Sequence, residues 1–232
     1  MSIPRGAAFH EQIANDWGAA YARTGFRKRL ELFQGVLDRT VIRGQLWLDL
    51  GCGSGVLSSE LLKRGARVVA FDGSPSMLAA ARRSLSSMLG ADVQFEEGDA
   101  QDLSRFAPCT FDGVLCSSVI EYVEVPDALI RHVSRVLKDD GALVISMPPT
   151  FALVRMAQKT LRAIMLPFGV DRYSYLDVSR YEIEPDTVED WLGRADLRVD
   201  RIAQFDSMLP VLLMGIFRPC LLVCEARKTV RL

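Results

Sequence analysis

The sequence predicts an α/β fold: a doubly wound, mostly parallel sheet of seven strands with a C-terminal antiparallel hairpin. Three observations lead there. Short apolar runs alternate with helical stretches from Gln45 to Pro148, the pattern of parallel strands joined by crossover helices. A glycine-rich turn, "LDLGCGSG" at Leu48 to Gly55, links the first run to the first of those helices. Beyond Tyr181, one more helical stretch is followed by two strand-like runs that can close the sheet as a hairpin.

The elements follow in order. A helical stretch from Ala8 to Asp38 precedes "QLWLDL", the first strand. "GVLSSELLKRG" is a helix ended by Gly65, and "ARVVAFD" is the second strand. "SPSMLAAARRSLSSML" is a helix opened by Ser74 as cap, with Pro75 at its first position, where a missing N–H costs nothing. "DVQFEEGD" and "FDGVLCSS" are strands three and four, "PDALIRHVSRVLKDDG" is a helix, and "ALVISMP" is strand five. The segment from Pro149 to Tyr181 stands outside the alternation. "DTVEDWLGRAD" is helical, and "LRVDRIAQFDSM" and "FRPCLLVCEARK" are the final strand pair. One domain is expected over 1–232, made of an N-terminal helical lid (1–44), a core (45–148), an insertion (149–184) and a C-terminal helix and strands (185–232).

Composition narrows the classes. With 232 residues, 49% hydrophobic and 25% charged, the chain can bury a sizeable core. A net charge of −1 gives no global basic face for nucleic acid. Five cysteines form no CxxC pair, and the two histidines, His10 and His132, are far apart, so no metal site is expected. The opening "MSIPRGAAFHEQIANDW" lacks the apolar core of a signal peptide. "MLPVLLMGIFRPCLLV" is too short and too interrupted for a membrane span and reads as a buried strand region. A reducing, cytoplasmic setting is expected.

The chemistry begins at the glycine turn. Glycines let a backbone approach a ligand closely, and the helix that follows offers unpaired N–H groups. Asp72 ends the next strand, about 20 residues beyond Gly51, where a carboxylate can take a ribose diol. The spacing is G-x-G-x-G, and Val56 stands where a dinucleotide fingerprint would have its third glycine. Asp49 would repel a pyrophosphate but suits a cofactor with a cationic amino acid end and no phosphate. A nicotinamide-dependent oxidoreductase therefore fits less well, though it remains an alternative.

Taken together, "LDLGCGSG", "VVAFDGSPSMLAAAR", "FEEGDAQDL", "FDGVLCSSVIEYV" and "LKDDGALVIS" resemble, in order and spacing, the motifs of class I S-adenosylmethionine-dependent methyltransferases. The resemblance covers Gln45 to Pro148 and implies a Rossmann-like fold, S-adenosyl-L-methionine as cofactor and S-adenosyl-L-homocysteine as product. It implies that Asp49, Gly51, Cys52 and Gly53 line the methionine end, with Gly55 allowing close helix packing. Asp72 with Gly73 would take the ribose and Met77 would pack nearby. Asp99, Ala100 and Gln101 would surround the adenine. Ser117 and Ser118 would face the place where cofactor meets acceptor, and Tyr21 would close over the methionine end. A cofactor-binding protein without catalysis is a further alternative.

The acceptor is expected to be a small molecule, hydrophobic or lipid-linked, methylated at O or N. No D/N/S-P-P-Y/F/W motif, as carried by DNA-adenine enzymes, follows strand four, and no nucleic-acid partner is expected. The nearest resemblance is to quinone-biosynthesis O-methyltransferases, which carry E-H-V where this chain has Glu121-Tyr122-Val123. Glu121 and Tyr122 are the candidate catalytic base, and Tyr173, Tyr175 and Tyr181 a candidate aromatic wall for the substrate. In the insertion, Phe151, Val154, Leu161, Ile164, Met165 and Phe168 alternate with Arg155, Lys159 and Arg162. Residues 150–168 are expected to form an amphipathic helix, either a lid or a peripheral contact with an anionic membrane.

Overall fold

The computed structural model describes residues 8, 11, 24–88, 90, 92–170, 173–206 and 218–230. Helix α1 (Thr24–Thr40) leads into β1 (Leu46–Leu50), α2 (Val56–Lys63), β2 (Arg67–Asp72), α3 (Pro75–Leu85), β3 (Val93–Glu97) and β4 (Phe111–Ser117). Then come α4 (Pro126–Val136), β5 (Leu137–Met147), α5 (Leu153–Met165), α6 (Pro185–Arg194), β6 (Leu197–Phe205) and β7 (Leu221–Lys228). The strands form one sheet in the order β3-β2-β1-β4-β5-β7-β6. Only β7 runs antiparallel to its neighbours, β5 and β6. The expected mostly parallel sheet with a closing hairpin is the observed one.

Strand periodicity sorts the side chains onto two buried layers. Leu48 and Leu50 of β1 join Phe71, Val114, Leu129 and Leu192 on one face. Trp47 joins Phe33, Leu37, Leu57, Leu61 and Leu78 on the other. Asp49 shares the parity of Trp47, so it faces α2 rather than α4. Gly113 of β4 makes room for the indole, since a Cβ there would lie 2.3 Å from the Trp47 ring. The α3 cap is as expected: the Ser74 hydroxyl accepts from the Met77 N–H at 3.1 Å, with Pro75 following.

One boundary needs correction. "LKDDG" was expected to finish a helix, but α4 stops at Val136 and β5 starts at Leu137. Leu137 is fully buried and extended (φ −71°, ψ 138°), and it pairs with Phe111 before a register shift. Asp140 then adopts a left-handed φ of 59°, and Lys138 pairs with Asp112 at 2.7 Å. Burial of Leu137 in the sheet outweighs the helical pattern that "VLKDDG" continues. The insertion carries α5 as expected, followed by one-turn helices at Leu166–Phe168 and Ser174–Asp177. Tyr21, the N-terminal part of the expected lid and most of the apolar run before β7 lie outside the described residues.

Candidate cofactor and acceptor site

The strand order reverses between β1 and β4, and ligands of open α/β sheets bind beyond the carboxyl ends of strands at such a point. Asp49, Gly51, Cys52 and Gly53 stand at the end of β1, and Asp72 and Gly73 at the end of β2. Asp99, Ala100 and Gln101 follow β3, and Ser117 and Ser118 end β4. The fold thus gathers these sequence-predicted residues on the carboxyl ends of four adjacent strands.

The loop after β1 is built from its glycines. Gly51 and Gly53 have φ of 75° and 53°, in the left-handed region that favours glycine. A Cβ on Gly51 would also lie 2.2 Å from Val119, so the loop after β4 closes directly onto it. The N–H groups of Gly51 and Cys52 donate to the Phe71 carbonyl at 2.8 and 3.0 Å. Asp72 ties the second turn down, its Oδ2 accepting from the Gly53 N–H at 2.8 Å and its Oδ1 from the Ser74 N–H at 2.9 Å. Glu11 caps the next helix, taking the Ser76 N–H at 3.1 Å and bonding the hydroxyls of Ser74 and Ser76. An acidic side chain is favoured at a helix N-terminus.

Asp49 is almost fully buried, and the Ser58 hydroxyl donates to its Oδ2 at 2.6 Å. Burial pushes its carboxyl up to about 7, with the nearby Asp72 adding to the shift and Ser58 opposing it. Burial likewise pushes the Cys52 thiol well above its ordinary value, leaving a neutral, inert lining group. Ser54, buried in the same loop, has a hydroxyl with no partner among the described residues. A buried carboxyl with a raised pKa, an orphaned hydroxyl, a backbone without Cβ and a carboxylate at the end of the neighbouring strand form a donor set that fits S-adenosylmethionine. Met77 is buried in the first turn of α3. Asp99 holds the Gln101 N–H at 2.9 Å, and the Gln101 side chain accepts from the Glu124 N–H at 2.7 Å, joining the loops after β3 and β4.

The acceptor side departs more from expectation. Glu121 is 4% exposed and is engaged: Arg155 Nη2 donates to it at 3.0 Å and the Ser179 hydroxyl at 2.5 Å. Arg155 also contacts Glu182 at 3.2 Å, and the Arg180 N–H donates to the Glu121 carbonyl at 2.8 Å. This buried network fastens α5 and the following segment to the loop after β4. Burial pushes the Tyr122 phenol well above its ordinary value, with the Glu121 charge adding to the shift. The Tyr175 hydroxyl donates to Gln158 at 2.5 Å, and its phenol is pushed up to about 12, chiefly by burial. Tyr181 donates to the Glu124 carbonyl at 2.7 Å, and Tyr173 opens the one-turn helix with a left-handed φ of 68°. Of the three, Tyr181 is tied to the loop after β4 and Tyr175 to α5.

Arg29 on α1 was not singled out in the sequence. Its Nη2 donates to Ser117 and Ser118 at 2.7 and 2.9 Å. The available signal was weak: a cation one turn ahead of the buried Phe33. Among the described residues no group of three His, Cys, Asp or Glu side chains is placed to hold a metal ion, and no helix is long and apolar enough to cross a membrane.

Comparison with known proteins points the same way. A family model described as a methyltransferase domain matches residues 48–145. A ubiquinone biosynthesis O-methyltransferase of Xanthomonas oryzae is 31% identical over 217 residues, covering 86% of each chain. Its counterpart in Xanthomonas euvesicatoria is 33% identical over 173 residues, covering 72% of this chain and 69% of that one. Among solved structures, magnesium protoporphyrin IX methyltransferase from Synechocystis, with S-adenosylhomocysteine bound, has a TM-score of 0.71 at 18% identity, covering 95% of this chain and 96% of that one. The [4+2]-cyclase SpnF has a TM-score of 0.76 at 16% identity, covering 99% and 97%. Those two likenesses speak to the fold alone, and the cyclase is a reminder that fold does not dictate reaction.

Proposed function

This chain belongs to the class I S-adenosylmethionine-dependent methyltransferases, and on that premise we propose that it methylates an oxygen of a small, hydrophobic acceptor. The observation that carries the oxygen-directed reading is the likeness, along most of both chains, to ubiquinone biosynthesis O-methyltransferases. Bound S-adenosylmethionine supplies a sulfonium methyl group that needs no further activation. In this reading the loop after β1 holds its amino acid end, with Asp49 beside the ammonium. Asp72 and Gly73 hold the ribose hydroxyls, Met77 packs beside them, and Asp99, Ala100 and Gln101 surround the adenine. Ser117 and Ser118 line the junction with the acceptor.

The work left to the protein is orientation, exclusion of water and handling of the acceptor's proton. Glu121 is better accounted for as a positioning residue than as the base, because Arg155 and Ser179 already occupy its carboxylate. Tyr122 is a neutral phenol at physiological pH. An acceptor hydroxyl acidic enough to ionise without a strong base, such as a phenol or enol, suits this site. The whole chain acts as one domain in this reading, with 45–148 as its cofactor core and 149–184 as its acceptor-side cover.

Support for a hydrophobic acceptor comes from α5 and the segments that flank it. Phe151, Ile164, Leu166 and Phe168 are exposed there, Phe168 to 81%. Of the two expected roles, lid or membrane contact, the second would have Arg155, Lys159 and Arg162 face an anionic surface. Instead Arg155 turns inward to Glu121 and Glu182, Lys159 pairs with Glu182 at 2.5 Å, and Arg162 pairs with Asp177. With those charges internally matched, contact with lipid would rest on apolar insertion. Each large side chain buried that way contributes about 1.5–3 kcal/mol.

Two measurements test these readings. Incubation with labelled S-adenosylmethionine and a cell extract is expected to yield a methoxy product in the lipid-soluble fraction. A product labelled only at nitrogen would overturn the oxygen assignment, and tight S-adenosylhomocysteine binding with no turnover would favour a silent cofactor binder. In flotation, the protein is expected to rise with neutral and anionic vesicles alike. The pair Ile164→Ser and Phe168→Ser should abolish flotation; retention by the pair would refute membrane contact through 150–168.

A further inference from the structure

Helix α5 is docked by charge rather than by its apolar residues. Among the described residues its one buried side chain is Arg155, while Leu153, Met156, Leu161 and Ile164 are all exposed. A helix that packs on a domain ordinarily buries an apolar stripe; this one seats an arginine instead. Arg155 Nη2 donates to Glu121 at 3.0 Å and also bonds the Ser179 hydroxyl. Its Nε lies 3.2 Å from Glu182, and the guanidinium is 5.7 Å from the centroid of the Tyr175 ring. Glu121 belongs to the loop after β4, and Ser179 and Glu182 to the segment returning from α5, so Arg155 joins all three. Other pairs of α5, Lys159 with Glu182, Arg162 with Asp177 and Gln158 with Tyr175, tie the helix to that returning segment.

The root of the insertion is fastened differently. The Ile183 N–H donates to the Pro148 carbonyl at 2.9 Å and the Arg180 N–H to the Glu121 carbonyl at 2.8 Å, while Thr150 bonds Glu184. Backbone bonds therefore hold the root, and side chains hold α5. Phe151 and Tyr173, which flank α5 and the turn after it, have left-handed φ of 56° and 68°. Both are non-glycine positions kept in a strained conformation by their surroundings. A buried ion pair contributes little net stability, because desolvation offsets its attraction and both ions regain water when it separates. With no buried apolar stripe to re-expose, α5 can leave its seat at small cost.

We propose that α5 is a reversible cover of the loop after β4: it swings at Phe151 about the root of the insertion and is latched shut by Arg155 on Glu121. Lifted, it uncovers that loop and admits the acceptor; latched, it excludes water during transfer. The swing itself rests on the fold, and only the identity of what passes beneath the cover rests on the methyltransferase reading above. Arg155 is thus a positioning residue. A neutral side chain in its place leaves Glu121 buried and unpaired in the latched state alone, so the open state gains.

The test is amide hydrogen exchange, followed residue by residue in the unliganded protein, for wild type, Arg155→Met, Arg155→Lys and Ser179→Ala. In wild type the amides from Ala157 to Met165 are expected to exchange about a hundredfold faster than those of β4 and β5, as for a segment that opens locally. Arg155→Met should speed α5 by roughly a further tenfold, because its latched state holds an unpaired charge. The Tyr122 amide, bonded to the Val119 carbonyl at 2.9 Å in the covered loop, should rise with α5. The Ile183 amide at the root and both strands should keep wild-type rates. Arg155→Lys, which retains the charge, and Ser179→Ala, which removes one bond of the latch, should fall between. Exchange in wild-type α5 as slow as in the strands would overturn the proposal, as would exchange no faster in Arg155→Met. A Tyr122 amide unchanged while α5 opens would refute the covering role. A rise in Arg155→Met that spreads to Ile183 and β5, or failure of that variant to fold, would also sink it, because Arg155 would then hold the body of the protein together. None of these readouts needs a ligand. If S-adenosylhomocysteine fails to raise the wild-type melting temperature, the methyltransferase reading breaks and the cover stands.

Discussion

Asp72→Ala is expected to abolish the rise in melting temperature that saturating S-adenosylhomocysteine gives the wild-type protein. At a ligand concentration of 100 times Kd that rise corresponds to about 2.7 kcal/mol. Hydrogen bonds to a charged group contribute about 1.5–3 kcal/mol each, so if the proposed ribose role holds, losing this carboxylate should weaken binding by roughly 10²–10⁴-fold. The same carboxylate also accepts from the N–H groups of Gly53 and Ser74, so the loop itself loosens in the variant. Because Asp72 is only half-buried, the unliganded variant should stay folded, with unchanged far-ultraviolet circular dichroism. Asp72→Asn keeps one acceptor oxygen and should retain part of the shift. A full shift in Asp72→Ala would sink the ribose assignment.

Asp49→Asn is expected to stabilise the unliganded protein while ruining it for the cofactor. Burial raises the Asp49 carboxyl to about 7 in the folded state, against about 3.9 in an unfolded chain. Between roughly pH 4 and 7 the folded state therefore holds a proton that the unfolded state has released, and stability falls as pH rises through that window. Above pH 7 the cost is complete, on the order of 4 kcal/mol. Asparagine carries no charge to desolvate, and its amide oxygen can still accept from Ser58. At pH 8 the unliganded variant should melt several degrees higher than wild type, and at pH 4.5 the two should nearly coincide. Binding runs the other way. A cationic amino acid end favours the ionised carboxylate, so wild-type affinity for S-adenosylhomocysteine should fall by up to tenfold per pH unit below pH 7 and level off above it. The variant should bind weakly and without that slope. Equal melting curves at pH 8, or a pH slope surviving in Asp49→Asn, would contradict the role given to this carboxyl.

These two residues were legible in the sequence for a physical reason. Asp49, the glycines and Asp72 sit at the ends of adjacent strands, and a strand followed by a tight turn can be read from a few neighbouring residues. The α4–β5 boundary was not legible, because "VLKDDG" continues a helical pattern with no breaker before Gly141, and only pairing with Phe111 draws Leu137 into the sheet. On the acceptor side, Glu121 and Tyr122 were noticed as chemical groups, but their partners could not be. Arg155 lies 34 residues from Glu121 and Ser179 lies 58, and nothing local marks either as its mate. The amphipathic pattern of α5 was correct, yet the direction taken by its basic side chains depended on where Glu182 and Asp177 came to rest.

By itself the sequence determined the sheet and its crossover helices, which are encoded in periodicity over short stretches, and its motifs carried the family resemblance that implied the methyl donor. Only the tertiary structure decided the acceptor side. Arg29 reaches Ser117 across 88 residues of chain, Glu121 is engaged by Arg155 of a helix that folds back over it, and Gly51 meets Val119 through the packing of two loops. Contacts between distant segments depend on how the whole chain packs, and short-range patterns do not carry that information.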